Sequence, residues 1–250
     1  MKIKKHKRKE LFYEGMKAIE VVTRIAQLNK HISILRFLTY RPTPNLSKKL
    51  SSKSNLSIMS DLDKLRELKL KGEFNYLGLA LINYWLKKDV NFLVKQMVTH
   101  TKNFDNRRKF DISSQGSIIE NLNSIISRLN LNKVLGFCSK VKLNDGSTCH
   151  IPMIDFSIEP SKRNLRIVKD ALKQIGQEKG LILDSGRSYH FYGLVLIDEK
   201  NWRSFLGLCL LLSPFIDARY IAHRLIDGEC VLRLSASKEK PKEPEVTDIL

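Results

Sequence analysis

The spacing of apolar residues divides the chain into a helical first half and a mixed second half. In the first half, apolar residues recur every three to five positions, as on one face of a helix, at Leu11, Met16, Ile19, Val22, Ile25 and Leu28. A second apolar run covers 32–40 and ends before Pro42 and Pro44. Further helices are predicted over 61–71, 76–99 and 117–129. The first half therefore predicts a bundle of helices.

Segment 31–74 has the order helix, proline-containing turn, short helix and longer helix, closed by Gly72. This order is typical of a helix-turn-helix or winged-helix module, whose last helix enters a DNA major groove. Many helical bundles share it, and ordinary helix packing is the simpler explanation.

The second half changes to the short, β-prone runs of an α+β fold. Strands are predicted over 134–143, 148–158, 181–184 and 188–197, with turns at 144–147 and 185–187. Helices are predicted from Leu165 to Ile175 and over 199–212, and a last pair of strands flanks Gly228. The order hairpin, helix, hairpin, helix, hairpin predicts helices packed on an antiparallel-rich sheet. Residues 238–250 are charged and contain proline, so we expect a disordered tail. These patterns predict domains over 1–130 and 131–237.

Charge is concentrated in the first half. The chain has 44 Lys and Arg against 26 Asp and Glu, a formal charge of +18, of which residues 1–130 carry 26 basic and 11 acidic side chains. Such a surplus is typical of a protein that binds a polyanion, and its scattering over several elements favours nucleic acid over a membrane surface. A solvated tail explains the N-terminal cluster alone as well. The predicted nucleic-acid-binding residues are Lys4, Lys5, Lys7, Arg8, Lys9, Arg107 and Arg108.

Localisation is predicted from apolar runs and cysteines. The longest apolar stretches, 77–86 and 205–212, are too short to cross a bilayer, and the N-terminus lacks the apolar run of a secretory signal. The four cysteines form no Cys-x-x-Cys pair. We therefore expect a cytoplasmic protein with reduced thiols and without a membrane partner.

Three places in the second half carry polar residues that a buried strand would not need. On the predicted strand over 148–158, Asp155, Ser157 and Glu159 alternate with apolar residues and share one face, as oxygen ligands of Mg²⁺ or Mn²⁺ often do. Ser188 and His190 follow a small-residue turn that contains Arg187, a pattern that favours anion binding. The third place holds Asp217 after two apolar residues, and then Arg233 between two leucines. Each place alone is also explained by a solvent-facing strand, a structural histidine or a helix cap.

Taken together, the three places resemble the motif order of the archaeo-eukaryotic primase superfamily, which includes the primase-polymerases. The resemblance covers about residues 134–236 and implies an RRM-like α/β core that follows the helical region. It implies that Asp155 and Asp217 are catalytic metal ligands, that His190 is catalytic and, with Ser188, holds the phosphates of a nucleoside triphosphate, and that Arg233 contacts the nucleotide. Arg187 would add positive charge to that phosphate site. The implied cofactor is Mg²⁺ or Mn²⁺, and the implied partners are DNA or RNA and nucleoside triphosphates.

The sequence departs from the family at Ser157, where polymerising members carry a second acid. Serine is a neutral, weaker ligand, and Glu159 lies one strand repeat further along. Three hypotheses follow: a nucleotidyltransferase that joins nucleotides on single-stranded or primed nucleic acid; a catalytically degenerate, primase-like nucleic-acid-binding subunit of a replication or defence complex; and a winged-helix DNA-binding protein with an effector-sensing domain.

Overall fold

The computed structural model describes residues 11–41 and 107–250. In these ranges the helices are α1 (Ala18–Leu28), α2 (Ile118–Ser127), α3 (Lys162–Gln174), α4 (Glu199–Leu211) and α5 (Ala218–Asp227). The strands are β1 (Ile32–Tyr40), β2 (Arg108–Ser113), β3 (Val134–Leu143), β4 (Thr148–His150), β5 (Met153–Asp155), β6 (Gly180–Asp184), β7 (Tyr189–Gly193), β8 (Val231–Arg233) and β9 (Glu245–Ile249).

The strands form two antiparallel sheets, so the predicted α+β class with antiparallel sheets is confirmed. The first sheet has the order β2-β1-β3-β4, and β8 also pairs with β3. The second sheet has the order β5-β7-β6-β9. Aromatic rings of both sheets meet in the core, where the ring centroids of Phe137 and Tyr192 lie 6.5 Å apart. No helix within residues 11–41 and 107–250 is long and apolar enough to cross a membrane.

The prediction of a helix over 32–40 is wrong, because this run is strand β1. Ile32, Leu35 and Leu38 recur at every third position, a spacing that suits a helix and that places Leu35 on the opposite face of a strand from Ile32 and Leu38. The strand forms because β2 pairs with one edge of β1 and β3 pairs with the other. These partners lie about 70 to 110 residues further along the chain, so local sequence does not reveal them. The predicted helix-turn-helix thereby loses its first helix, and the rest of that segment lies outside the described residues.

The predicted return strand over 148–158 is divided between the two sheets. Its first part, β4, pairs with β3 across the predicted turn at 144–147, and its second part, β5, pairs with β7. Pro152 lies between them and cannot donate a backbone hydrogen bond. The split carries the chain from the first sheet to the second and delivers Asp155 to the end of β5.

The segment before Gly228 is helix α5 and not the first strand of a third hairpin. Asp217 caps its N-terminus by accepting a hydrogen bond from the Arg219 amide, and Gly228 ends it with a φ of 70°. Ile221 and Arg224 are buried on one face of this helix. The predicted helices over 199–212 and 117–129 are present as α4 and α2.

The prediction of a disordered tail over 238–250 is also wrong. Strand β9 pairs with β6. The Gly15 amide donates a hydrogen bond to the Val246 carbonyl, and the Val246 amide donates one to the Met16 carbonyl. Residues 11–41 thus pack with 107–250 in one compact unit, and the predicted boundary at 130 falls inside it. The helices predicted over 61–71 and 76–99 lie outside the described residues, as do the basic residues Lys4, Lys5, Lys7, Arg8 and Lys9.

Candidate functional site

Asp155 and His190 face each other at the end of two paired strands. The register of β5 and β7 places the two residues directly opposite one another, and Oδ1 of Asp155 lies 3.7 Å from Nε2 of His190. Ser188 Oγ donates a hydrogen bond of 3.2 Å to the same carboxylate oxygen. The chain enters β5 through the buried Met153 and Ile154, so the strand is fixed in the core up to the residue before the carboxylate.

Asp217 is brought to the other edge of β5. Phe156 forms an isolated antiparallel bridge with Ile216, and the Ser157 amide donates a 2.7 Å hydrogen bond to the Phe215 carbonyl. Continued by one residue, this register places the Asp217 backbone opposite that of Asp155, where Asp217 begins α5 as its N-cap. We call Asp217, Asp155 and His190 the polar row; the side-chain contact described within it is that of Asp155 with His190.

The turn before β7 fixes Ser188. The Ser185 amide and hydroxyl both donate to the Ser188 carbonyl at 2.9 Å. Gly186 adopts a φ of 95°, a left-handed conformation that favours glycine, and its amide donates to Asp184 Oδ1 at 2.7 Å. The predicted turn at 185–187 therefore sets the position from which Ser188 reaches Asp155.

Arg233 lies under this turn and holds it in place. Its side chain is buried, and its guanidinium donates to the carbonyls of Ser185, Ser235 and Lys242 at 2.7–2.8 Å. Sequence reasoning expected this arginine to contact a nucleotide. Three of its five N–H donors are used on the protein backbone, and its charge lies close enough to act on Asp155 and His190.

A strap formed by residues 237–242 crosses the same turn and carries Lys240. The amide and carbonyl groups of Ser237 and Lys240 pair with each other, Arg187 donates to the Glu239 carbonyl at 3.3 Å, and Lys242 Nζ lies 2.7 Å from Asp184 Oδ2. Sequence reasoning missed Lys240, because the charged, proline-containing composition of this segment is typical of disorder. No local signal marks Lys240; only the pairing of the strap with the turn brings its charge to Asp155.

The electrostatics of the polar row are those of a recess surrounded by protein. Burial raises the pKa of Asp155, although Lys240, Ser188 and Arg233 act in the opposite direction, and the side chain remains 36% exposed. Burial lowers the pKa of His190 well below its usual range, and Arg233 and Lys240 lower it further. His190 is therefore a neutral imidazole at pH 7.

His190 has an unsatisfied ring nitrogen. Its Nδ1 is buried and has no hydrogen-bond partner, while the residue as a whole is 2% exposed. Leaving a buried polar atom without a partner costs about 1–3 kcal/mol. Such an atom next to a half-exposed carboxylate is typical of a site that a ligand completes.

The two other predicted oxygen ligands, Ser157 and Glu159, lie beyond the last residue of β5. Strand β5 ends at Asp155 and the chain bends at Ile158, so the alternation that would carry Glu159 to the face of Asp155 is interrupted. Ser157 and Glu159 are both exposed, and the Glu159 carbonyl accepts a hydrogen bond from the Asn164 side chain. In the described parts of the chain, no group of three or more His, Cys, Asp and Glu side chains is arranged to hold a metal ion.

The two remaining described candidates lie in and next to β2. Arg107 Nη1 lies 3.4 Å from Asp227 Oδ2 and is mostly buried, so it joins the start of β2 to the end of α5. Arg108 is exposed at the start of β2. Arg187 is exposed on the turn beside Ser188 and is the predicted cation nearest the polar row in sequence.

A family model described as archaeo-eukaryotic primase 1D-like matches residues 115–245, just over half of the 250 residues. No curated protein and no solved structure matches the chain. The matched range contains α2 to α5, the second sheet up to the start of β9, and the whole polar row. The chain belongs to the archaeo-eukaryotic primase-like family.

Proposed function

We propose that the chain is a primase-polymerase-like nucleotidyltransferase, which binds single-stranded or primed nucleic acid and joins nucleotides. The observation that supports this function is the polar row, in which Asp155 faces a buried, neutral imidazole and the Phe156–Ile216 bridge directs the chain of Asp217, 62 positions further along, towards Asp155. A carboxylate pair beside a phosphate-binding turn suits a reaction in which no protein nucleophile is needed.

The donor set suits a hard divalent cation. Asp155 and Asp217 would hold Mg²⁺ or Mn²⁺, whose remaining oxygen ligands would come from water and the nucleotide phosphates. When bound, such an ion polarises the phosphoryl group and stabilises the leaving pyrophosphate. Asp217 Oδ1 already accepts the Arg219 amide, so α5 orients this carboxylate before any ligand arrives.

The phosphate side of the site is formed by the turn and the strap. Ser188, neutral His190, Arg187 and Lys240 would donate hydrogen bonds or positive charge to the triphosphate. Arg233 would act as a positioning residue, because its hydrogen bonds hold the Ser185 and Lys242 carbonyls on which the turn and the strap depend. Burial keeps His190 neutral, so it would donate from a protonated nitrogen without adding charge.

Extension of a primed and an unprimed single-stranded template with labelled nucleotides and Mn²⁺ tests the proposal. We expect product with the natural chain and a loss of at least about 100-fold with Asp155→Asn, since a metal-holding carboxylate is removed. Asp145→Asn, in the exposed turn between β3 and β4, is the matched control and should retain activity. No product from the natural chain, or equal product from Asp155→Asn, contradicts the proposal.

A second function is favoured by the position of Ser157. Because Ser157 is neutral and Glu159 lies beyond a bend, the recess holds fewer carboxylates than a polymerising member of the family and has Lys240 and Arg233 facing Asp155. The chain would then be a degenerate subunit that binds nucleotide or nucleic acid in a replication or defence complex. This function predicts salt-dependent binding of single strands without extension, and a gain of extension in Ser157→Asp.

A further inference from the structure

Helix α3 has one buried face and one strongly basic face. Val168, Ala171 and Leu172 are buried against the core. Five of the six charged side chains on the helix are basic, and Asp170 is the single acidic one. The rest of residues 131–250 contains 13 basic and 14 acidic side chains, so α3 carries the whole positive surplus of this region. The basic residues are Lys162, Arg163, Arg166, Lys169 and Lys173.

Four of these cations form a continuous line, the α3 stripe, which consists of Lys162, Arg166, Lys169 and Lys173. Their spacings of four, three and four residues place them on the same side of the helix. At a rise of 1.5 Å per residue, the stripe is about 16 Å long and presents a cation every ~5 Å. This is a linear arrangement of charge, which suits a linear polyanion better than a single anion.

The stripe is largely unneutralised within the described part of the chain. Lys169 pairs with Asp248 at 2.8 Å and is 40% exposed. Lys162, Arg166 and Lys173 are exposed, and no described carboxylate pairs with them. Clustered cations without partners repel one another, so a polyanion that lies along the stripe relieves this repulsion.

The N-terminal end of α3 is anchored to β7 from the face of the second sheet opposite the polar row. The phenol oxygen of Tyr189 accepts a hydrogen bond from the Ser161 amide at 2.8 Å and donates to the Ser161 carbonyl at 3.0 Å. Ser161 caps α3, and Tyr189 lies between Ser188 and His190, so its side chain projects to the opposite face of β7. Asp248, which pairs with Lys169, lies in register with Ile182 and Phe191 and shares that face. The stripe therefore lies on the face of the second sheet opposite the polar row.

We propose that the α3 stripe binds the sugar-phosphate backbone of a single nucleic-acid strand on the face of the second sheet opposite the polar row. The inference rests on the proposed function, because it makes that strand part of the nucleic acid that the chain binds. A membrane surface is disfavoured because the apolar face of α3 is buried in the core and cannot insert into lipid. The stripe lies in the second half of the chain, outside the residues that the charge pattern marked for nucleic-acid binding.

Fluorescence anisotropy with a labelled 20-nucleotide oligothymidylate and the full chain tests this surface. The triple variant Lys162→Gln, Arg166→Gln and Lys173→Gln should bind at least about tenfold more weakly at low salt, and its salt slope should fall by about 2, since each single-strand phosphate contact contributes about 0.7. The matched control is Lys30→Gln, Arg128→Gln and Lys200→Gln, which removes three exposed cations elsewhere and should change the slope by less than about 0.5. Equal losses in both variants, or no loss in the stripe variant, overturn the proposal.

Three further measurements separate the remaining outcomes. Thermal unfolding should be unchanged in the stripe variant, because all three side chains are exposed. Its affinity for a fluorescent nucleoside triphosphate should also be unchanged. Weaker oligonucleotide binding by the stripe variant, together with no nucleotide extension by the natural chain, would reject the proposed reaction and keep the strand-binding surface. Stripe-dependent binding to vesicles that contain phosphatidylserine, without binding to the oligonucleotide, contradicts the inference.

Discussion

At the scale of single residues, Asp155 is held in surroundings that do not favour its charged form. Its pKa is raised by burial even though Lys240, Ser188 and Arg233 oppose the shift. A raised pKa in the folded state means that this carboxylate stabilises the fold at low pH and that the contribution is lost as the pH rises through the folded value. A fold that keeps such a residue gives up stability at that position, as functional sites often do.

Asp155→Asn should therefore raise the unfolding midpoint at pH 7. The gain should shrink as the pH falls through the raised pKa of Asp155, because the native carboxyl then becomes neutral as well. Thermal unfolding of both proteins across these pH values measures the effect. Asp145 is the control: its pKa is lowered by hydrogen bonds from Ser147, so Asp145→Asn should not stabilise the protein. A lower midpoint for Asp155→Asn at pH 7 contradicts the prediction.

Arg233 makes the opposite kind of contribution, because its buried guanidinium satisfies three carbonyl groups. Arg233→Met should lower the free energy of unfolding by about 3 kcal/mol, since these acceptors lose their partners. Arg187→Met, at an exposed position on the same turn, should change it by less than about 0.5 kcal/mol. Urea unfolding compares the two variants, and similar losses in both would show that the buried hydrogen bonds of Arg233 do not stabilise the turn.

At the scale of elements, a buried hydrogen-bond network joins β3, β4, α4 and the start of β8. Burial lowers the pKa of His150, so its ring is neutral; Nε2 donates to Glu199 at 3.0 Å, and Nδ1 accepts from Ser139 at 3.1 Å. The Ser139 hydroxyl oxygen in turn accepts the Cys230 amide at 2.9 Å, and Trp202 stacks on the imidazole with ring centroids 4.4 Å apart. Ser139 and His150 are 0% exposed, so this arrangement has no access for a substrate and is structural.

Ser139→Ala should lower the free energy of unfolding by about 1–3 kcal/mol, because the Cys230 amide and His150 Nδ1 both lose a partner inside the protein. Ser204→Ala, at an exposed position on α4, should be neutral or slightly stabilising, since alanine is the better helix former. Denaturant unfolding measures both. An Ser139→Ala variant as stable as the natural chain would show that the network does not lock these elements together.

At the scale of the whole molecule, the two ends of the described chain close one unit. The Gly15 amide donates a hydrogen bond to the Val246 carbonyl, and the Val246 amide donates one to the Met16 carbonyl. Strand β9 completes the second sheet beside β6. The segment that carries Lys240 is anchored between β8 and β9. The C-terminal residues therefore belong to the fold that positions the candidate site.

Val246→Ala should lower the free energy of unfolding by about 1–3 kcal/mol, because Val246 is 2% exposed and packs in the core. Thr247→Ala, at the next and less buried position of β9, should cost less than Val246→Ala.

Removal of 239–250 should abolish cooperative thermal unfolding, since the second sheet loses a strand and Arg233 loses the Lys242 carbonyl. A truncated chain that still melts cooperatively at the natural midpoint contradicts this account.

The sequence by itself determined the features that depend on neighbouring residues. The hairpin at 144–147, helices α2, α3 and α4, and the turn at 185–187 follow from local spacing, from glycine and from capping residues. The separation of Ser188 and His190 by two positions also predicted their common face, and the motif order indicated the family that the comparison supports.

Only the tertiary structure decided the features that depend on pairing across long stretches of chain. The 32–40 run became β1 because β2 and β3 pair with both of its edges, and the C-terminal residues became ordered because β6 and the N-terminal segment supply partners. The same long-range pairing set Ile216 opposite Phe156, one residue from Asp155, and brought the Lys240 strap over the turn. Local composition favours a helix in the first case and disorder in the second, and the hydrogen bonds and burial supplied by distant segments outweigh that preference.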